Sequence, residues 1–205
     1  MNEILSEFKN LRQIDQKLFE EIQGCNKCPI STLSVNKLNP PNGKVELTGT
    51  FYRDSRTRLL FIGIAPSYRR FDRDMRAMFP EDLHENSSGA MFLRALVDAG
   101  YIKTYDIYLT NLIRCSTETN SFPVSTEIDN CGEFLEKEIK LIKPTHLIPM
   151  GWSVYNYVND VLLGRLAFYK YRSLTLHIKH PAYYFRNKNY DEMVSELVKL
   201  KGHII

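Results

Sequence analysis

Residues 58–66 read RLLFIGIAP. Four apolar side chains in a row, Leu59 to Ile62, run into Gly63 and, three positions on, Pro66. A short unbroken apolar run closed by glycine and proline fits a strand covered on both faces, because a sheet with one wet face alternates instead. Such a strand needs helices above and below it, which is the α/β class. Working outward supports this. Downstream, GAMFLRALVDA (89–99) has helical spacing and Gly100 to stop it; YDIYLTNLIRC (105–115) is a second strand rich in β-branched and aromatic residues. Residues 126–142 form an amphipathic helix with a capping-box-like start at Thr126 and Asp129 and a stop at Pro144. THLIPMG (145–151) is a third strand despite Pro149, 152–163 a helix, SLTLHIKHP (173–181) a fourth strand, and 189–201 a last helix. Upstream, 3–23 is amphipathic with Gly24 as its stop, and 25–57 is irregular and proline-bearing, with a short hairpin expected around 44–53. The pattern predicts an α/β three-layer sandwich with a central four-stranded parallel sheet flanked by helices.

In an open parallel sheet, ligands bind where the strands end at their carboxyl side. That rule gathers GIAPS (63–67), TNLIRC (110–115), MGW (150–152) and HPAYY (180–184) around one crevice. The crevice would offer backbone amides near Gly63, the side-chain amide of Asn111 and the imidazole of His180. An amide and an imidazole suit the edge of a planar heterocycle.

Composition narrows the class. The chain has 205 residues, 43% hydrophobic and 25% charged, which excludes a disordered chain. No apolar stretch approaches the ~18 residues of a membrane span. The amphipathic start MNEILSEFKNLRQ lacks the basic and apolar regions of a signal peptide, so a cytosolic, nucleoid-associated protein is expected, and separately a monomer. One domain over 1–205 is expected, with the N-terminal helix and cysteine-bearing segment in 1–57 and the α/β core in 58–205. The net charge of +3 permits a nucleic-acid partner without requiring one.

Four cysteines stand at 25, 28, 115 and 131. In a cytosolic chain, metal binding explains a close pair better than a disulfide. Each of the four falls near an element end. Cys131 falls in the first turns of a helix, where the macrodipole favours a thiolate. Spacing alone leaves an iron–sulfur cluster, zinc and no metal open.

The ordered set CNKC (25–28), LLFIGIAPS (59–67), MFPED (78–82), SSGAMFLRAL (87–96), YLTNLIRC (108–115), P-x2-TEI-x2-C (123–131), IKPTHLIPMG (142–151) and HPA (180–182) resembles the uracil-DNA glycosylase superfamily, in its iron–sulfur families 4 and 5. The resemblance covers nearly the whole chain. It implies a monofunctional DNA glycosylase that flips a uracil or another deaminated or modified base out of DNA and hydrolyses its N-glycosidic bond. Cys25, Cys28, Cys115 and Cys131 match the positions that hold a structural [4Fe-4S] cluster. Phe79 matches the ring on which the base stacks, Asn111 the amide that reads it, and His180 with the backbone of Gly63, Ile64 and Ala65 the groups that stabilise the leaving base.

The chain also departs from the pattern. Ile64 stands where family 4 has an acidic residue. The carboxylate that resembles family 5's catalytic one is Asp82, in F-x-x-D at 79–82, with Glu81 and Glu85 as competitors across the extra LHENS stretch. HPA stands where a serine is common in third place, and Phe122 where an arginine is common. DNA contacts are expected from Arg69 and Arg70, with Arg73 and Arg76 beside them, and from Tyr184 and Arg186 in an aromatic loop after His180. No lysine of the pocket motifs suits lyase chemistry, since Lys179 should face away from His180. Two rivals remain: a glycosylase-like DNA-binding protein that excises nothing, and a nucleotide-binding domain stabilised by zinc on the four cysteines.

Overall fold

The computed structural model describes residues 16–29, 49–51, 56–65, 88–115, 117, 121–164 and 174–204. In chain order the elements are α1 (Gln16–Gln23), β1 (Gly49–Phe51), β2 (Arg58–Gly63), α2 (Ser88–Asp98), β3 (Asp106–Asn111), α3 (Ser125–Ile142), β4 (His146–Pro149), α4 (Trp152–Tyr157), β5 (Leu174–Thr175), α5 (Pro181–Arg186) and α6 (Tyr190–Lys201). α4 runs on into a π-helical turn, Val158–Leu162.

The strands form one five-stranded sheet in the order β1-β3-β2-β4-β5. β3 and β4 flank β2 in parallel, with Gly63 opposite Asn111 and Ile62 opposite Pro149. The strand count departs from the four expected. Within the span read as a hairpin, β1 adds an antiparallel edge strand that pairs with β3. The span 173–181 shrinks to the two residues of β5 plus a single bridge, Met150 to Ile178. Pro149 has no N–H to give its neighbours, so the ladder is interrupted there.

Side-chain alternation along the strands builds two cores. Leu59 and Phe61 of β2, Ile107 and Leu109 of β3, and Ile148 pack against α2, α5 and α6. Leu60, Ile62, Tyr108 and Leu147 face the other way, toward Leu18 and Ile22 of α1, α3, and Val154 and Val158. Every residue of β3 is buried, as the continuous apolar reading requires. This is a helix–sheet–helix layering.

The helix ends follow local chemistry. α2 is closed by Gly100 at φ +73°. α3 begins one residue earlier than expected, and Glu127, not Asp129, reaches back to accept from the Val124 N–H at 3.0 Å. It ends at Lys143 with φ +50°, ahead of Pro144. No helix among the described residues is long and apolar enough to cross a membrane.

Candidate active site

β2 ends in Gly63, and its neighbour β3 ends in Asn111 in register with it. The Asn111 side chain lies across the glycine: a Cβ at position 63 would sit 2.5 Å from Asn111 Oδ1. Beyond the strands the two chains stay joined, as the N–H groups of Leu112 and Ile113 donate to the carbonyls of Gly63 and Ile64 at 2.7 and 3.0 Å. Met150, at the end of β4, closes on the same glycine: its Cε lies 3.6 Å from the Cβ position.

The next residue, Gly151, has φ +97° and ψ 151°, a conformation nearly confined to glycine. It brings the backbone against His180, whose Cβ would lie 3.3 Å from a Cβ at 151. Gly63, Asn111, Met150, Gly151 and His180 therefore succeed one another along the carboxyl ends of the strands, where the α/β reading expects a ligand.

His180 is fixed by the proline after it. Pro181 occupies the first turn of α5, where its missing N–H is no loss, and His180 becomes the N-cap. Its Nδ1 accepts the Ala182 N–H at 3.1 Å. An Nδ1 that accepts is unprotonated, so the neutral ring carries its proton on Nε2. Burial, and then the charge of Arg186, push the His180 pKa below the ordinary 6.5. The ring is thus a neutral Nε2–H donor at neutral pH.

Tyr184 is placed differently from the expected DNA contact. Residues 181–186 are helical rather than a loop, and Tyr184 is 1% exposed, in the core with its hydroxyl donating to Glu196. The exposed aromatics of α5 are Tyr183 and Phe185, and Arg186 is exposed at its end. Lys179 is ion-paired with Glu192 at 2.5 Å and held above its usual pKa by that partner. Ile64, in the family's acidic position, is half-buried and packs on the α1–α3 side. Phe79, Asp82, Arg69 and Arg70 lie outside the described residues.

The cysteine segment is tied to α3. Asn130 Nδ2 donates to the Lys27 carbonyl at 3.2 Å and to Cys28 Sγ at 3.3 Å, and Lys27 pairs with Glu133 at 2.7 Å. None of the four cysteines is held in a disulfide. The Cys131 thiol senses Cys28 and Cys25 and accepts from the backbone of Arg114, the residue before Cys115. Its pKa is raised, chiefly by burial. The expected helix-dipole advantage is overridden, since Cys131 is the seventh residue of α3 and buried. Among the described residues no three His, Cys, Asp or Glu side chains form a group that could hold a metal ion.

Two features escape a reading of the sequence. One is the backbone conformation of Gly151, whose place among the strand ends was expected but whose φ of +97° appears only in three dimensions. The other is a buried ion pair beneath the end of β3. Arg114 Nη2 meets Glu138 Oε2 at 2.5 Å with side chains 6% and 0% exposed, and Thr110 Oγ1 donates to the same carboxylate at 2.8 Å. It joins the strand of Asn111, the turn to Cys115 and the helix of Cys131.

The family model of the uracil DNA glycosylase superfamily matches residues 50–200. The type-4 uracil-DNA glycosylase of Archaeoglobus fulgidus is 23% identical over 134 residues, covering 65% of this chain and 58% of that protein. The type-4 enzyme of Sulfurisphaera tokodaii is 20% identical over 194 residues, covering 88% and 80%. The type-5 enzyme of Pyrobaculum aerophilum is 24% identical over 125 residues, covering 58% and 55%. The chain thus spans under two thirds of the length of the Archaeoglobus and Pyrobaculum relatives. With the family's model matching about three quarters of its length and the pocket motifs at the ends of the strands, the chain belongs to the uracil DNA glycosylase superfamily.

Proposed function

We propose that the protein is a monofunctional DNA glycosylase that excises uracil or another deaminated or modified base. The observation that carries this reading is the placement of Asn111 across Gly63 and of His180 against Gly151 at the same ends of the strands. A base inside a duplex is out of reach, so the target nucleotide is flipped into the crevice. Asn111 reads its edge and Phe79 stacks on it. As the glycosidic bond lengthens, negative charge grows on the base and positive charge on the sugar. The Nε2–H of neutral His180 and the backbone amides of Gly63, Ile64 and Ala65 meet the negative charge. A donor that is already neutral and fixed by its cap needs no reorganisation at that moment. Asp82 orients the water or stabilises the sugar cation. Arg69, Arg70 and Arg186 contact phosphates. The ion pair that occupies Lys179 supports hydrolysis without a lyase step.

Cys25, Cys28, Cys115 and Cys131 would hold a [4Fe-4S] cluster, which supplies a structural cross-link and no redox chemistry. The hydrogen bonds that tie the Cys25–Cys28 segment to α3 beside Cys131 support this. A single zinc ion would draw its sulfurs within about 4 Å of one another, given Zn–S bonds of ~2.3 Å. A cluster binds each thiolate to a different iron and spreads them wider.

The test is excision from oligonucleotides bearing one uracil, hypoxanthine, xanthine or 5-substituted pyrimidine, followed by alkali. A cut at one or more of these bases is expected. Iron-loaded protein that binds DNA and cuts none of them overturns the reading. It would favour the second one, a DNA-binding protein without excision, to which the apolar packing of Ile64 lends support.

A further inference from the structure

Trp152 is the chain's single tryptophan, and it is 66% exposed. Its indole stacks on Tyr155, one helical turn on, at 5.4 Å between centroids and 26° between planes. His177, next to the Ile178 bridge, closes the edge at 6.0 Å from Trp152 and 5.1 Å from Tyr155. The His177 Nε2 is buried with no hydrogen-bond partner among the described residues, and burial lowers the ring's pKa against the opposing pull of Glu196. Ring contacts with Trp152 and Tyr155 help seat it, and it is uncharged at neutral pH. The three rings make an apolar block whose outermost member is wet.

Its place in the fold gives it a use. Trp152 directly follows Gly151, which lies against His180. The aromatic block thus begins one residue from the crevice, at the same ends of the strands, on a chain of net charge +3. A flipped nucleotide leaves neighbouring bases unstacked, and an exposed indole offers such a base a partner. The geometry points to Trp152, backed by Tyr155 and His177, as a stacking platform for an unpaired DNA base flanking the flipped nucleotide. The inference rests on the glycosylase reading for the identity of its partner. Every base has a π-face, so the platform adds affinity for single-stranded or opened DNA without choosing among bases.

The lone tryptophan makes the test direct, because the protein's indole fluorescence reports this position alone. The intact protein is titrated with a fluorescein-labelled oligothymidylate, following tryptophan emission and label anisotropy together. Saturable quenching in step with binding is expected. Trp152→Ala should weaken binding roughly ten-fold, as loss of one base–aromatic stack does, with Trp152→Phe restoring most of it and circular dichroism unchanged. Equal affinity of wild type and Trp152→Ala overturns the inference, as does DNA binding that leaves the emission unmoved. Emission that follows protein concentration instead of DNA also overturns it, in favour of a second copy of the chain. Oligothymidylate offers no uracil to remove, so the readout is independent of catalysis. Quenching without excision of any base keeps the platform and removes the glycosylase reading. Excision without quenching does the reverse.

Discussion

At Gly63 a single hydrogen atom decides whether Asn111 can lie across the end of β2. A methyl group there would sit 2.5 Å from Asn111 Oδ1, so the amide must move. Gly63→Ala should fold with an unchanged circular dichroism spectrum yet lose about 100-fold in excision rate, the scale of a misplacement near 1 Å. His180 sets the pH dependence. Its pKa lies below 6.5 in the fold, and the neutral Nε2–H form is the useful one. Single-turnover excision should be flat above pH 6.5 and fall on the acid side as the ring protonates; a rate that rises toward acid contradicts this role. Stability moves the same way. His146, His177 and His180 all bind their protons less readily in the fold than in the unfolded chain. The unfolded state therefore takes up more protons below pH 6.5, and the urea midpoint should drop there. The motif residues at this scale were legible in the sequence. What they touch was not: that Asn111 covers Gly63, and that His180 caps its own helix, are facts of tertiary placement.

At the scale of elements, the buried Arg114–Glu138 pair fastens β3 to α3. Removing one partner leaves an uncompensated buried charge, so Glu138→Ala should lose about 3–5 kcal/mol in urea unfolding. A milder loss, about 1 kcal/mol, is expected for Glu127→Ala at the start of α3. Gly and Pro punctuation and unbroken apolar runs located α2, α3 and α6 to within a residue and the start of β2, which ends at Gly63, three residues short of the expected 58–66. β5 was over-read, because Leu174 to Ile178 is apolar and β-branched enough for a strand while Pro149 opposite cannot complete the ladder. Tyr184 was misplaced for a related reason. An aromatic run after His-Pro reads equally as a loop or as one turn of helix, and only packing on α6 decides which ring turns inward.

Over the whole molecule, the sheet separates two jobs. One face packs α2, α5 and α6 and carries His180; the other packs α1 and α3 and carries the cysteines. Cys131→Ser should remove the visible absorption that the proposed [4Fe-4S] cluster would give and lower thermal stability, while oligonucleotide binding through the crevice side weakens far less. Loss of DNA binding equal to that of a crevice variant would contradict the division. The layering was legible because a strand covered on both faces admits few architectures. The tie of the Cys25–Cys28 segment to α3 through Asn130 was not legible from spacing, since about a hundred residues separate the two. The most direct measurement of the central claim is single-turnover excision from a uracil-bearing oligonucleotide by the wild type and His180→Ala side by side. The wild type should cut, and the variant should cut about 100- to 1,000-fold more slowly, as loss of one donor to the developing charge requires. A variant that cuts as fast as the wild type would contradict the assignment of this crevice as the active site.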